Sequence, residues 1–92
     1  MYGILIANNL PFQRVAFDAP EDVFSKQAVT IIGACIEKNF VYMGIGSANV
    51  PNTSFPDALR NMSVFEHTNG PILVIKTDVQ GDPVDIQLSD LE

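Results

Sequence analysis

The first part of the chain combines an apolar run with an alternating segment, which together predict a β-hairpin. Residues 2–7 form the apolar run. Residues 8–11 carry the Asn and Pro chemistry of a turn. In residues 13–18, Val15 and Phe17 alternate with more polar positions, as in a half-buried strand.

The next segment has the pattern of an amphipathic helix over about residues 20–38. Pro20 suits a first helical position, and Glu21 and Asp22 carry charges that the helix dipole favours there. On a helical wheel, one side gathers mainly apolar residues, which are Phe24, Ala28, Val29, Ile31, Ile32, Cys35 and Ile36. Four to five turns with one apolar side predict a helix that packs across a sheet.

The same segment also permits a hairpin. Residues 28–36 are rich in β-branched side chains, and residues 37–39 are suited to reverse the chain into residues 40–47. The separation of faces on the wheel and the Pro20 opening favour the helix, so the hairpin stays as the alternative.

The second half of the chain reads mostly as strands. Residues 40–45 predict a strand, and an irregular segment rich in Asn, Ser, Thr and Pro follows, with one helical turn near residues 56–60. Residues 62–67 and 72–77 predict a hairpin around an Asn-Gly turn. Residues 72–75 are apolar without alternation, which indicates a central strand that is covered on both faces.

Residues 84–88 alternate and predict a last strand. With 92 residues, the chain fits one domain spanning 1–92. We therefore expect an α+β fold with the order β-β-α-β-β-β(-β), in which one helix packs on a mainly antiparallel sheet in two layers. An all-β sandwich or barrel is the alternative.

The content and distribution of charged residues limit the classes of possible partner. Charged residues make up 17% of the chain, which is below the usual value of about 25% and suggests that a partner covers part of the surface. The net charge is −6, and the basic residues, which are Arg14, Lys26, Lys38, Arg60 and Lys76, are scattered singly. Binding to nucleic acid or to an anionic membrane needs clustered basic residues, so we expect neither.

Candidate chemistry is sparse in the sequence. The single cysteine, Cys35, allows neither an internal disulfide nor a multi-cysteine zinc site within one chain. His67 is the only histidine, and the acids at 78, 82 and 85 suit a solvated turn and strand face. We predict no catalytic, metal or cofactor site. Without a membrane-length apolar run, a soluble protein of the cytoplasm or a virion is expected.

The order of elements resembles a known class of scaffold. Residues 2–9, Tyr-Gly-Ile-Leu-Ile-Ala-Asn-Asn, look like an opening strand and turn, and the order from residue 2 to residue 77 is similar to that of roadblock and longin domains. The chain departs from them in lacking a C-terminal helix and in placing a strand there. The resemblance implies a dimerising scaffold that pairs through sheet edges and the helix.

The leading hypothesis is a non-enzymatic structural or interaction module that self-associates or docks into a larger assembly through sheet edges and apolar patches. Four aromatic residues near element ends or in loops are the predicted partner contacts: Tyr2, Phe12, Phe55 and Phe65. A more specific version is a virion component that decorates a capsid or associates with a tail.

Two further hypotheses come from other functional classes. One is a small enzyme whose site forms between subunits from His67, Glu66 and an acid of residues 78–85. The other is a ligand-binding module with a pocket between helix and sheet.

Overall fold

The strands of the chain form one antiparallel sheet. The computed structural model describes residues 1–60 and 68–91. Its strands are β1 (Tyr2–Ile6), β2 (Gln13–Ala16), β3 (Val29–Cys35), β4 (Phe40–Ile45), β5 (Ile72–Thr77) and β6 (Pro83–Val84). Its short α-helices are α1 (Pro20–Val23) and α2 (Asp57–Arg60), and 3₁₀ turns lie at Ile36–Lys38 and Leu88–Leu91.

The sheet is open rather than closed into a barrel. Its order is β2-β1-β5-β4-β3, and β6 pairs with the end of β5. All six strands of the described chain belong to this one sheet, so the sandwich and barrel alternatives are wrong for these residues. The antiparallel sheet is confirmed, and the fold class is mainly-β or α+β.

The predicted helix over residues 20–38 is wrong. Helix α1 contains only Pro20–Val23, and the chain then leaves helical geometry because Ser25 and Lys26 adopt positive φ angles of 55° and 66°. The chain continues as β3, turns through Ile36–Lys38 with Asn39 in the left-handed region, and returns as β4. The hairpin alternative describes this segment correctly.

Apolar residues on both faces of β3 explain why a helical wheel misread it. Cys35 faces the core on one side of the sheet, while Val29 packs into the cluster on the other side. A register shift between Ile31 and Gly33 further disturbs the two-residue alternation. The element order shared with roadblock and longin domains required a helix here, so that resemblance is not supported.

The other strand predictions fared better. β1, β2, β4 and β5 lie where the pattern placed them, and the helical turn near residues 56–60 is α2. The predicted last strand over residues 84–88 is largely wrong, because β6 is Pro83–Val84 and a 3₁₀ turn occupies Leu88–Leu91. The predicted strand at 62–67 lies outside the described residues.

One face of the sheet carries the larger core. The long connection after β4 covers it with Phe55 and Leu59, and the segment after β6 adds Ile86. Phe55 stands edge-on to the ring of Tyr42, with centroids 4.9 Å apart. The cluster consists of Ile4, Ile6, Cys35, Phe40, Tyr42, Phe55, Leu59, Ile72, Val74 and Ile86. The connection after β4, including the single turn of α2, and the segment after β6 therefore cover this face of the sheet, where a longer helix was predicted.

The opposite face is less completely covered. Phe17 and Phe24 close over Leu73 and Ile75 of the central strand. Around them lie apolar side chains that are only half-buried, namely Leu5, Val15, Val23, Val29, Met43 and Ile45. This second face therefore keeps accessible apolar surface.

Asn52 ties the long connection to the sheet. Its buried amide nitrogen donates hydrogen bonds to the carbonyl oxygens of Ile6 and Gly70, both at 2.9 Å. Its side-chain oxygen accepts a bond from the backbone N–H of Ser54 at 3.0 Å. One side chain thus satisfies three backbone groups that belong to different segments.

We expect Asn52→Ala to lower the free energy of unfolding by about 2–4 kcal/mol, because the carbonyl groups of Ile6 and Gly70 lose their donor. Urea denaturation followed by circular dichroism measures this change. The exposed Asn49 provides the control, and Asn49→Ala should stay within about 0.5 kcal/mol of wild type. Equal stability of the two variants would contradict the assigned role of Asn52.

The C-terminal segment is fastened to the sheet by polar contacts. Lys76 of β5 forms an ion pair with Asp90 at 3.1 Å, and Asp90 also accepts a hydrogen bond from the N–H of Gln87 at 2.8 Å. The hydrogen bond from Gln87, and next the contact with Lys76, lower the pKa of Asp90. Arg14 of β2 donates to the carbonyl oxygen of Ile86 at 2.7 Å.

The lowered pKa of Asp90 predicts a pH-dependent contribution to stability. The charged form is favoured in the folded chain, so its contribution is present above the unfolded pKa of about 3.9 and is lost as the pH falls through the lower folded pKa. Asp90→Asn should lower the stability at pH 7 by up to about 1 kcal/mol. In urea titrations, the gap between the two proteins should close on acidification, and a constant gap would contradict this assignment.

Candidate interaction surface

The aromatic residues predicted to contact a partner lie against their own chain where the structure describes them. Phe55 is 2% exposed, and half-buried Phe12 packs against the larger core. The ring of Tyr2 lies under the guanidinium group of Arg14, 3.8 Å from the ring centroid. Phe65 lies outside the described residues. Their role as partner contacts stays a prediction, and exposed surface must be sought elsewhere.

Cys35 and Asp78, two side chains with potential reactivity, are engaged in holding the fold together. Cys35 is fully buried. The burial of Tyr42 raises the pKa of its hydroxyl, and the neighbouring Cys35 raises this pKa further. Asp78 accepts hydrogen bonds from the backbone N–H groups of Gln80 and Asp82, both at 2.9 Å, and so shapes the turn before β6. The proposed pair His67 and Glu66 lies outside the described residues.

The described part of the chain contains neither a metal-binding cluster nor a membrane-spanning helix. Within residues 1–60 and 68–91, no three His, Cys, Asp or Glu side chains come together in a way that would hold a metal ion. No helix in those ranges is long and apolar enough to cross a bilayer.

The most unusual surface feature is the outer edge of β3. This strand has seven residues and pairs on one side with β4, and in the described part of the chain no strand pairs with its other side. An open edge presents backbone N–H and C=O groups that can join another strand. β3 is therefore a candidate site of strand addition.

The edge has few of the features that usually block such pairing. Residues 28–36 contain no charged side chain and no proline. The register shift between Ile31 and Gly33 is the one protective irregularity along this strand. A strand of this length and composition is open to partners unless something covers it.

The opposite edge of the sheet looks different. β2 has only four residues, and both Gln13 and Arg14 are exposed along it. Short length and a charged side chain are the usual means of blunting an edge. The contrast singles out β3 among the two outer strands of the sheet.

Exposed apolar side chains adjoin the β3 edge. Ile31 lies opposite Met43 and is 55% exposed, and Ile36, in the 3₁₀ turn directly after the strand, is 75% exposed. Val29 and Ile45, a cross-strand pair, belong to the half-covered second face. The apolar surface of that face thus continues to the open edge, where a partner would cover it.

Searches against protein-family models, curated proteins and solved structures find no match to this chain.

The residues of the edge were not among the sequence-predicted contacts. Their signal was present as the uncharged run of residues 28–36, but the helical interpretation placed its apolar side chains against a sheet. Only the strand order reveals that this run forms an edge.

We expect Ile31 to contribute little to the stability of the isolated protomer. Ile31→Thr should cost less than about 1 kcal/mol, because the side chain is already largely in water. The same substitution at fully buried Ile72 should cost at least about 2 kcal/mol, because it buries a hydroxyl in the core. Denaturation of dilute protein measures both, and a large loss in Ile31→Thr would place that side chain in the core.

Proposed function

We propose that this chain is a non-enzymatic interaction module that binds protein through the edge of β3. The observation that carries the proposal is a seven-residue, uncharged edge strand with the exposed Ile31 on it. In strand addition, backbone hydrogen bonds supply affinity and alternate side chains supply specificity. β3 offers both kinds of contact.

Burial of apolar surface supports the same proposal. A partner strand beside β3 would cover Ile31 and extend the half-covered face that Val29, Met43 and Ile45 form. Apolar side chains at such a contact contribute free energy in proportion to the area removed from water. The edge therefore combines directional and non-directional contributions to binding.

Electrostatics supports a protein partner over a nucleic acid. The chain has five basic residues against eleven acidic ones, and residues 28–36 add no positive charge to the edge. Phosphate backbones are bound through several Lys or Arg contacts. An uncharged strand is suited instead to the backbone of another polypeptide.

The non-enzymatic part of the proposal is supported by the surroundings of the reactive groups. Cys35 lies in the core, and the Asp78 carboxylate is engaged by its own turn. A general acid, base or nucleophile needs access to a substrate in a positioned arrangement. The surroundings of these two side chains favour structural roles for them.

The edge is tested by affinity capture with the tagged full chain in the cells that express it. We expect Ile31→Lys to lose the partners that the wild type retains, because a charge on the strand must be desolvated on pairing. Leu10→Lys is the matched control, since Leu10 has the same 55% exposure but lies in the β1–β2 turn. Quantitative mass spectrometry compares the retained proteins, counting further copies of the chain itself.

Retention of the same partners by Ile31→Lys and wild type would overturn the assignment to β3. Equal loss in both lysine variants would also overturn it, because the effect would then follow from the added charge rather than from its position. Circular dichroism of each variant establishes that its sheet is intact.

A further inference from the structure

We propose that Asn69 is a modification site, where deamidation is suppressed as long as residues 48–52 hold it and proceeds when that contact opens. Asparagine followed by glycine offers the least steric hindrance to this reaction, because glycine has no Cβ beside the backbone nitrogen that attacks. Asn69 and Gly70 form such a pair just before β5. This site is independent of the function proposed for the β3 edge.

Asparagine is one of the thermolabile residues of proteins, and its deamidation needs only the two neighbouring residues and water. The backbone nitrogen of Gly70 attacks Cγ of Asn69, so that a new C–N bond forms and the bond from Cγ to Nδ2 breaks. The proton of the Gly70 nitrogen passes through solvent to the departing group, which leaves as ammonia. Water then opens the five-membered succinimide at either carbonyl carbon and yields aspartate or isoaspartate at position 69.

The backbone nitrogen that would attack is engaged in the folded chain. The N–H of Gly70 donates a hydrogen bond to the carbonyl oxygen of Val50 at 2.8 Å. Beside it, Asn69 faces Pro51 in an antiparallel bridge. A hydrogen bond from the neutral N–H favours the protonated form of the amide, whereas the attack requires the deprotonated nitrogen. The contact with Val50 therefore opposes the first step.

The groups on either side of that nitrogen are held as well. The half-buried side chain of Asn69 donates from Nδ2 to the carbonyl oxygen of Ala48 at 3.3 Å. The carbonyl oxygens of Thr68 and Gly70 accept hydrogen bonds from the backbone N–H and the Nδ2 of Asn52, at 3.0 and 2.9 Å respectively. Rotation that brings Cγ of Asn69 to the Gly70 nitrogen has to break part of this set. Deamidation is thus coupled to local opening of the connection after β4.

The same packing explains why the reactive pair is present. Gly70 has a φ angle of +68°, a conformation that other residues adopt only with strain. A Cβ on it would also lie 2.8 Å from the Cβ of Ala48. The contact with the connection therefore requires a glycine directly after Asn69, and with it the sequence in which asparagine reacts most readily.

The products are unable to restore the contact. A carboxylate at position 69 has no N–H for the carbonyl oxygen of Ala48. Isoaspartate lengthens the backbone by one carbon atom and displaces the N–H of Gly70 from Val50. A transient opening of the connection is thereby converted into a lasting loss of the hydrogen bonds that fasten it.

Ageing of the full chain at neutral pH, in buffer and in concentrated urea, tests the suppression. Peptide mapping by mass spectrometry gives the rate at which position 69 gains the mass of the amide-to-carboxylate change. We expect the rate in buffer to be at least about ten-fold lower than in urea, because the reaction has to await opening of the contact. This comparison uses only the wild type.

Two variants distinguish local opening from global unfolding. Asn52→Ala removes a donor from the contact and should recover most of the difference between buffer and urea. Ile75→Ala, on the opposite face of the sheet, should cause a comparable loss of global stability yet leave the rate at Asn69 within about three-fold of wild type. Asn49→Ala should react like wild type, and circular dichroism establishes that each variant is folded.

The chain aged in urea and then refolded should unfold at a lower urea concentration than fresh protein. Equal rates at position 69 in buffer and in urea would overturn the suppression by the fold. Acceleration by Asn52→Ala that is no greater than that by Ile75→Ala would overturn the role of the local contact. An unchanged unfolding midpoint in the deamidated chain would overturn the coupling of the modification to the connection.

Discussion

The fold depends on the burial of β5 between two other strands and two apolar layers. Residues Ile72, Leu73, Val74 and Ile75 are all buried, and they alternate between the two faces of the sheet. β1 pairs with this strand on one side and β4 on the other. Because β5 occupies the centre, β4 has its other side available for β3, and β3 becomes the edge.

The central strand also explains why the described residues form their core with little helix. Both of its faces are covered by short pieces, with Phe55, Leu59 and Ile86 on one side and Phe17 and Phe24 on the other. Polar contacts such as those of Asn52 hold the irregular backbone of the covering segments against the sheet. The first face is covered more completely than the second, and the second leaves apolar surface towards β3.

Local pattern was sufficient for most strands but not for the segment at residues 20–38. β5 was recognisable because four consecutive apolar residues indicate burial on both faces. β3 was misread because its apolar residues also lie on both faces, so their spacing imitates one side of a helix. Pro20 opens a helix that ends after one turn, since Ser25 and Lys26 adopt left-handed backbone.

The candidate surface was harder to predict than the fold, and the reason is physical. The aromatic residues were predicted as partner contacts from their residue type alone. Phe55 is instead buried in the core, and the ring of Tyr2 is covered by Arg14. A strand lies at an edge when no other strand pairs with one of its two sides. Which strand this is depends on the order of strands across the whole sheet. The uncharged run of residues 28–36 was visible in the sequence, whereas its position at the edge required β5 to lie between β1 and β4.

Hydrogen exchange of the β3 amides in dilute protein tests the open edge most directly. Alternate amides of an edge strand point away from its neighbour. In dilute protein, the outward amides of β3 should exchange much faster than those of β5. Protection of β3 equal to that of β5 in dilute protein would contradict an open edge, and the interaction surface would have to be sought elsewhere.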